Sequence, residues 1–144
     1  MLARGALTKK PSHTRIPGIS TILPMENIPL ILQVAVALGI LNVWLLRYGK
    51  ATPYRGGKAK NLREEFATYG LPFPAMCLVG GIKVGLAVAL LVGIWVPGLV
   101  QPAAIGMGVL MIGAFGMHLK VSDPLVKAVP SLLVLAMCAG IVFL

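Results

Sequence analysis

Three polar residues interrupt the apolar runs of this sequence and could do chemistry there. Lys83 lies near the middle of "CLVGGIKVGLAVALLVGIW", Asn42 lies within "LGILNVWLL", and His118 follows a third apolar run. A cation at the centre of a membrane-spanning helix costs roughly 2.5–3.5 kcal/mol on insertion scales. All four acidic residues lie outside the apolar runs: Glu26, Glu64, Glu65 and Asp123. We therefore expect no counter-charge from this chain at the depth of Lys83.

Several arrangements could accommodate Lys83, and the sequence leaves them open. The amine could lose its proton in apolar surroundings, bond to Asn42 or helix carbonyls, bind an anionic ligand or lipid, or meet an acid from a partner subunit. It could also extend beside a lipid with no function. His118 could carry protons or bind a polar headgroup, although an interfacial histidine is more often an anchor. Lys83, Asn42 and His118 are the candidate ligand- or partner-binding residues.

Other catalytic and metal-binding patterns are not found in the sequence. There is no Ser/His/Asp set, no phosphate-binding glycine loop and no histidine pair for metal or haem, so we predict no catalytic residue and no metal site. A disulfide between Cys77 and Cys138 is disfavoured, because their expected depths differ by ~9 Å. The lack of a catalytic pattern in the sequence favours a role other than that of an enzyme.

The composition is that of an integral membrane protein. Hydrophobic residues make up 58% of the chain and charged residues 12%, with a mean hydropathy of +0.90. A span needs roughly 20 apolar residues, and four such spans are predicted at residues 28–46, 73–95, 103–119 and 128–144. The expected fold is all-α, a membrane-spanning four-helix bundle. The net charge of +9 does not indicate nucleic-acid binding, because the basic residues lie in connecting segments.

Two regions are predicted along the chain. Residues 1–27 form a basic, irregular tail, either a targeting segment or an over-extended start before Met25, and residues 28–144 form one four-span domain. The loops at 47–72 and 120–127 carry eight Lys and Arg residues, against four in the tail. Positive charge favours the inner side. We therefore expect these loops in the cytoplasm or stroma, in a bacterial inner membrane or a thylakoid.

Small residues predict where helices approach one another. The second span has a small residue at every fourth position, which is typical of close helix packing, and the third span is its natural partner. The predicted packing positions are Gly81, Gly85, Ala89, Gly93, Gly108 and Gly116. On a helical wheel Lys83 lies nearly opposite Gly81. The lysine and the glycine stripe therefore cannot face the same neighbour.

The aromatic residues near the loops are predicted to lie at the membrane interface. Trp and Tyr form aromatic belts at the ends of membrane spans, where this chain has Trp44 and Tyr48. In the long loop, "NLREEFATYG" has a capping pattern and a glycine stop, which predict a short interfacial helix. Its apolar face carries Phe66 and Tyr69. Asp123 is predicted to cap the last helix, with Pro124 in its first turn.

The chain resembles the DoxX-like family of small four-span membrane proteins over about residues 28–144. The resemblance is carried by "FATYGLP" before the second span, "VGGIKVGLAVALL" within it and "HLKVSDP" after the third span. It implies a four-helix membrane bundle and an association with quinone-linked oxidoreduction, as in a thiosulfate:quinone oxidoreductase subunit. It also implies an acid, often Glu, at the position of Lys83. Lys83 reverses that charge, so the resemblance bears on fold more than function.

Three functional hypotheses follow. The first is an accessory membrane subunit of a larger redox or energy-transducing complex, respiratory or photosynthetic, in contact with lipid or pigment and with other membrane subunits or a second copy. The second is a quinone-linked oxidoreductase membrane component, with the three candidate residues around a headgroup. The third is a small transporter, which is weakly supported because Gln33 lies on the opposite side of its helix from Asn42.

Overall fold

The computed structural model describes residues 24–144 of the chain, so the predictions about residues 1–23 lie outside the described part. Within residues 24–144 every regular element is helical. Four helical segments are long and apolar enough to cross a membrane: Met25–Leu46, Phe73–Val92, Pro97–Lys120 and Leu125–Phe143. The predicted all-α fold with four spans is confirmed.

Five α-helices make up the described chain. They are α1 (Ile28–Leu41), α2 (Leu62–Thr68), α3 (Phe73–Val92), α4 (Val100–Lys120) and α5 (Leu125–Phe143). The helix α1 continues into one π-helical segment, Asn42–Leu46. The helix α4 begins before the predicted residue 103, because Pro102 falls in its first turn, where a missing N–H costs no hydrogen bond.

The four long helices form a ring in the order α1, α3, α4, α5. The helix α1 packs against α3 and α5, and α4 packs against the same two. Val36, Leu90, Met107 and Cys138 are the largest fully buried side chains of the core. Between α1 and α3, the buried Gln33 amide donates a hydrogen bond to the carbonyl of Leu90. This bond satisfies a polar side chain that would otherwise lie unpaired among apolar groups.

The inner face of α3 is not the predicted glycine stripe. Gly81 and Gly85 are exposed, and a Cβ atom added at either would meet nothing within 4 Å. The buried residues of α3 are Met76, Gly80, Ala87 and Leu90. Their spacing of three and four residues also places Lys83 on the inner side. The two glycines therefore pack against no helix in the described chain.

The other predicted packing positions are divided among different neighbours. Ala89 packs against the main core, and Gly93 approaches Val100 in the turn between α3 and α4. Gly108 is buried against α5, and Gly116 has open space where a Cβ would lie. The close contact between α3 and α4 uses Gly106, which faces Leu86.

The short helix α2 caps one end of the bundle. The Asn61 side chain accepts a hydrogen bond from the Glu64 N–H at 2.8 Å, which confirms the predicted N-cap. Gly70 ends the segment with a φ of 77°, a conformation that favours glycine. Phe66 and Tyr69, expected as interfacial residues, are buried against the bundle. The helix therefore closes the bundle end instead of presenting these rings to lipid.

Candidate functional site

A cavity of about 570 Å³ occupies the loop-side half of the bundle, under α2. Its lining includes all three candidate residues of the sequence, Asn42, Lys83 and His118. These residues come from α3, α4 and the π-helical end of the first span. The bundle therefore brings together side chains that lie up to 76 positions apart in the sequence (118 − 42).

The cavity has apolar walls and reaches the outer surface of the helices. Ile40, Leu110 and Val134 contribute to its walls. Two further lining residues, Val109 and Leu133, are 61% and 58% exposed on the surface that faces lipid. A concave site with apolar walls and a few polar groups is typical of small-molecule binding sites. This site opens towards the membrane.

Lys83 lies inside the cavity against an aromatic ring. Its Nζ atom is 5.4 Å from the centroid of the Trp44 ring, a cation–π contact. Trp44 itself packs against Gly80, where any Cβ would collide with the indole, and edge-on against Phe66 at 5.9 Å. Lys83 makes no ion pair with a residue of the described chain, and it donates no hydrogen bond to Asn42 there. Trp44, expected in the interfacial belt, instead holds the lysine.

Beside the cavity lies a buried group of polar side chains, here called the polar network. Its members are Arg55, Glu65, Tyr69, His118, Asp123 and Lys127. In its first half, Arg55 donates to Glu65 Oε2 at 3.1 Å and to the carbonyl of Arg47 at 2.6 Å. Glu65 Oε1 accepts hydrogen bonds from the Tyr69 hydroxyl at 2.8 Å and the Gly56 N–H at 3.0 Å. These bonds tie the end of the first span to the long loop and α2.

The second half of the polar network joins the two loops. Asp123 Oδ2 lies 2.8 Å from His118 Nδ1, and Asp123 Oδ1 accepts from the Gly57 N–H at 3.0 Å. Lys127 Nζ lies 3.7 Å from the same carboxylate and donates to the carbonyl of Gly57. The prediction that Asp123 caps α5 is wrong: Pro124 is the N-cap residue, without a side-chain bond. The carboxylate is already occupied by His118 and Gly57.

The hydrogen-bond directions define where protons lie. Ionised Asp123 only accepts, so His118 Nδ1 donates to it, and neutral His118 then has a lone pair on Nε2. That atom lies 3.5 Å from the Tyr69 hydroxyl oxygen, whose proton points to Glu65. Protonated His118 would instead donate from both nitrogens. When His118 is protonated, His118, Tyr69 and Glu65 can therefore form one chain of hydrogen bonds in which each donates to the next.

Two groups in the polar network have shifted pKa values. Burial, followed by the charge and hydrogen bond of Glu65, raises the pKa of the Tyr69 phenol, so Tyr69 stays protonated. Burial alone would raise the pKa of Asp123. The hydrogen bonds from His118 and the Gly57 N–H, with the charge of Lys127, outweigh it, and the pKa of Asp123 lies below its ordinary value of 3.8.

Glycines allow the loop to approach α2 closely. A Cβ at Gly56 would lie 2.5 Å from the Tyr69 hydroxyl, so only glycine fits there without displacing the ring. Gly57 adopts a φ of 57° while its N–H and carbonyl both bond across to the other loop. Lys120 adds a further bond to the carbonyl of Tyr69 at 2.9 Å. The loop therefore rests on the bundle through backbone groups at defined positions.

Sequence reasoning did not select Arg55, Glu65 or Asp123 as site residues. One signal could have identified Glu65: it shares a helical face with Leu62 and Phe66, at the spacing of a buried stripe, and it precedes Tyr69 by four residues. A carboxylate on the inward face of an amphipathic helix requires a buried partner. No local pattern indicated that Arg55 would be that partner.

These features define a four-span integral membrane protein in which a capped, membrane-open cavity adjoins a buried polar network. The model of the DoxX-like family matches residues 31–141, and the chain belongs to this family. The resemblance seen in the sequence is thus confirmed. Comparison with curated proteins and with solved structures gave no match.

Proposed function

We propose that the protein is the quinone-binding membrane component of a quinone-linked oxidoreductase system and receives electrons from a partner redox protein. The observation that carries this proposal is the cavity itself, which combines a membrane opening, aromatic and apolar walls, and the polar groups Lys83, Tyr69 and His118. A quinone has a flat apolar ring with carbonyl acceptors and reaches its sites through the membrane. Its chemistry matches each of these features.

The cavity has the groups that a quinone headgroup would use. The Lys83 ammonium can donate to a ring carbonyl, and the Trp44 and Phe66 rings, which also line the cavity, offer apolar surface to the quinone ring. Reduction of a quinone to a quinol consumes two electrons and two protons. His118 and Tyr69 lie at the cavity wall where such protons could be delivered. Asp123 orients the imidazole through its Nδ1 bond.

The proposal retains part of the accessory-subunit hypothesis. In this proposal a partner subunit supplies the electrons. The exposed face of α3 at Gly81 and Gly85 carries no side chains and could contact a partner helix, a second copy or lipid. A transporter is less well supported. The polar side chains gather at the loop end of the bundle, and the Gln33 amide already donates a hydrogen bond to the Leu90 carbonyl. We place the two basic loops on the cytoplasmic or stromal side.

Fluorescence quenching of Trp44 tests the proposal directly. The chain has two tryptophans, and Trp95 is 78% exposed, so Trp95→Phe leaves Trp44 as the reporter. A short-tailed benzoquinone should quench this fluorescence saturably in detergent-purified protein.

Two glycines of α4 provide a matched pair of cavity variants. Gly113 lines the cavity and Gly116 does not, and both have open space where a Cβ would lie. Added to Trp95→Phe, Gly113→Leu should weaken saturable quenching by occupying part of the cavity, whereas Gly116→Leu should leave it unchanged. Equal, non-saturable quenching in all three proteins would contradict the proposal.

A further inference from the structure

We infer that Lys83 makes the cavity selective for a ring ligand whose oxygen carries a negative charge, such as an ionised hydroxyquinone or the anion formed when a quinone accepts one electron. This inference rests on the proposed function and specifies the ligand's charge. In the redox case, one electron from the partner protein converts the neutral quinone to its semiquinone anion, with no bond broken. A second electron and two protons then complete the quinol.

The two acids beside the cavity are paired with cations of the same chain. Glu65 is matched by Arg55 at 3.1 Å, and Asp123 is matched by His118 at 2.8 Å and Lys127 at 3.7 Å. The carboxylate oxygens of both acids already accept hydrogen bonds from other groups. Within the described chain, Lys83 has no comparable anionic partner. Arg47 also lines the cavity, but this residue is exposed at the end of the first span. Lys83 is therefore a cation on the inner side of α3 whose charge is not compensated by an adjacent acid.

The surroundings of Lys83 on α3 are largely apolar. Its ammonium is oriented over the Trp44 ring, and the neighbouring Gly80 and Ala87 on the inner side of α3 are apolar and buried. Electrostatic attraction is much stronger in such surroundings than in water. An anionic oxygen near Lys83 would therefore gain more from the site than a neutral carbonyl of the same shape.

The donors of the cavity suit a ring anion better than a phosphate headgroup. Phosphate is bound by several cations or by forked arginine donors. The Arg55 guanidinium already donates to Glu65 and to the carbonyls of Arg47 and Lys50. Arg47 lines the cavity as well, but it is exposed at the loop end. The cation that lies over an aromatic ring of the cavity wall is the compact ammonium of Lys83. A singly charged, delocalised anion suits this arrangement better than a phosphate.

A matched pair of probes tests the inference with the Trp44 quenching measurement in Trp95→Phe protein. One probe is a 3-alkyl-2-hydroxy-1,4-naphthoquinone, ionised at neutral pH, and the other is its neutral 2-methoxy counterpart with the same alkyl chain. We expect the hydroxy probe to bind about tenfold or more tightly, the size of a charge-assisted hydrogen bond. Lys83→Met should remove this preference by weakening only the hydroxy probe, and Lys83→Arg should retain most of it.

The outcomes distinguish the two proposals. Equal affinity of both probes in the protein with Lys83 would overturn the inference and leave quinone binding intact. If neither probe binds saturably, the proposed function fails as well. Equal weakening of both probes by Lys83→Met would show that the side chain shapes the cavity, and would also overturn the inference.

Two further measurements keep the test independent of how the variant folds. In the protein with Lys83, lowering the pH until the hydroxy probe is neutral should bring the two affinities together, and a preference that persisted would contradict the inference. Detergent micelles containing phosphatidylglycerol should displace the hydroxy probe no better than micelles containing phosphatidylcholine. Selective displacement by phosphatidylglycerol would point to a phosphate ligand and overturn the inference.

Discussion

His118 Nδ1 lies 2.8 Å from Asp123 Oδ2, across the turn that joins α4 to α5. The other oxygen of this carboxylate accepts the N–H of Gly57, which is 66 residues away in the long loop. One carboxylate thus orients the histidine beside the cavity and holds the loop that covers it. The cavity and its cap depend on the same residue.

Asp123→Asn should release the long loop. The amide keeps the size of the side chain, but it loses the charge that pairs with Lys127 and His118, at an expected cost of about 1–3 kcal/mol in the free energy of unfolding. Limited trypsin cleavage after the exposed Lys58 should become faster. The control is Glu26→Gln, which changes an exposed acid. An unchanged cleavage rate for Asp123→Asn would contradict the role given to this residue.

Low pH should weaken the contacts that the Asp123 carboxylate makes. Because the pKa of Asp123 is lowered in the folded protein, its contribution to stability is present above the ordinary value of 3.8 and is lost as the pH falls through the folded value. The difference in unfolding temperature between the unmodified chain and Asp123→Asn should therefore shrink below that pH. A difference that stays constant from neutral pH into this acidic range would argue against an ionised Asp123.

Gly80→Ala and Gly81→Ala form a matched pair that tests the inner face of α3. A Cβ at Gly80 would collide with the Trp44 ring, whereas a Cβ at Gly81 meets nothing within 4 Å. We expect Gly80→Ala to destabilise the protein by about 1–3 kcal/mol through overpacking and to shift the Trp44 emission maximum. Gly81→Ala should leave both properties unchanged. If Gly81→Ala lowered the stability more than Gly80→Ala, the predicted glycine stripe, and not the face with Gly80, would be the inner face of α3.

Gln33→Leu should destabilise the contact between α1 and α3. The substitution removes the amide that donates to the Leu90 carbonyl, and hydrogen bonds between membrane helices contribute about 0.6 kcal/mol on average and up to roughly 1.7 kcal/mol. Gln101→Leu, at an exposed position of α4, is the matched control. Unfolding in a denaturing detergent compares the two. Equal stability of both variants would show that the Gln33 bond contributes nothing measurable.

The fold could be predicted from the sequence because membrane spans depend on local composition. Apolar run length gave four helices, and the cap at Asn61 gave α2, since these signals lie within a few residues of one another. Helix rotation was predicted less well. Regular glycine spacing in α3 pointed to Gly81, whereas the bulky Trp44 ring selects Gly80 as the close contact.

The polar network could not be predicted because its partners are distant in sequence. Arg55, Lys120 and Lys127 were counted only as topology signals, yet each donates a hydrogen bond inside the cap. Asp123 has a local explanation as a helix cap, and this concealed its bond to Gly57. The three candidate residues of the sequence, Lys83, Asn42 and His118, all line the one cavity described above.

Photolabelling with an azidoquinone tests the central claim, that the cavity binds a quinone, most directly. We predict covalent adducts on peptides that line the cavity, from α3 around Lys83 and from α4 around Met111 and Met117. Unlabelled quinone in excess should suppress these adducts, and Gly113→Leu should reduce their yield. Adducts confined to residues outside the cavity, or labelling that excess quinone does not suppress, would contradict the account.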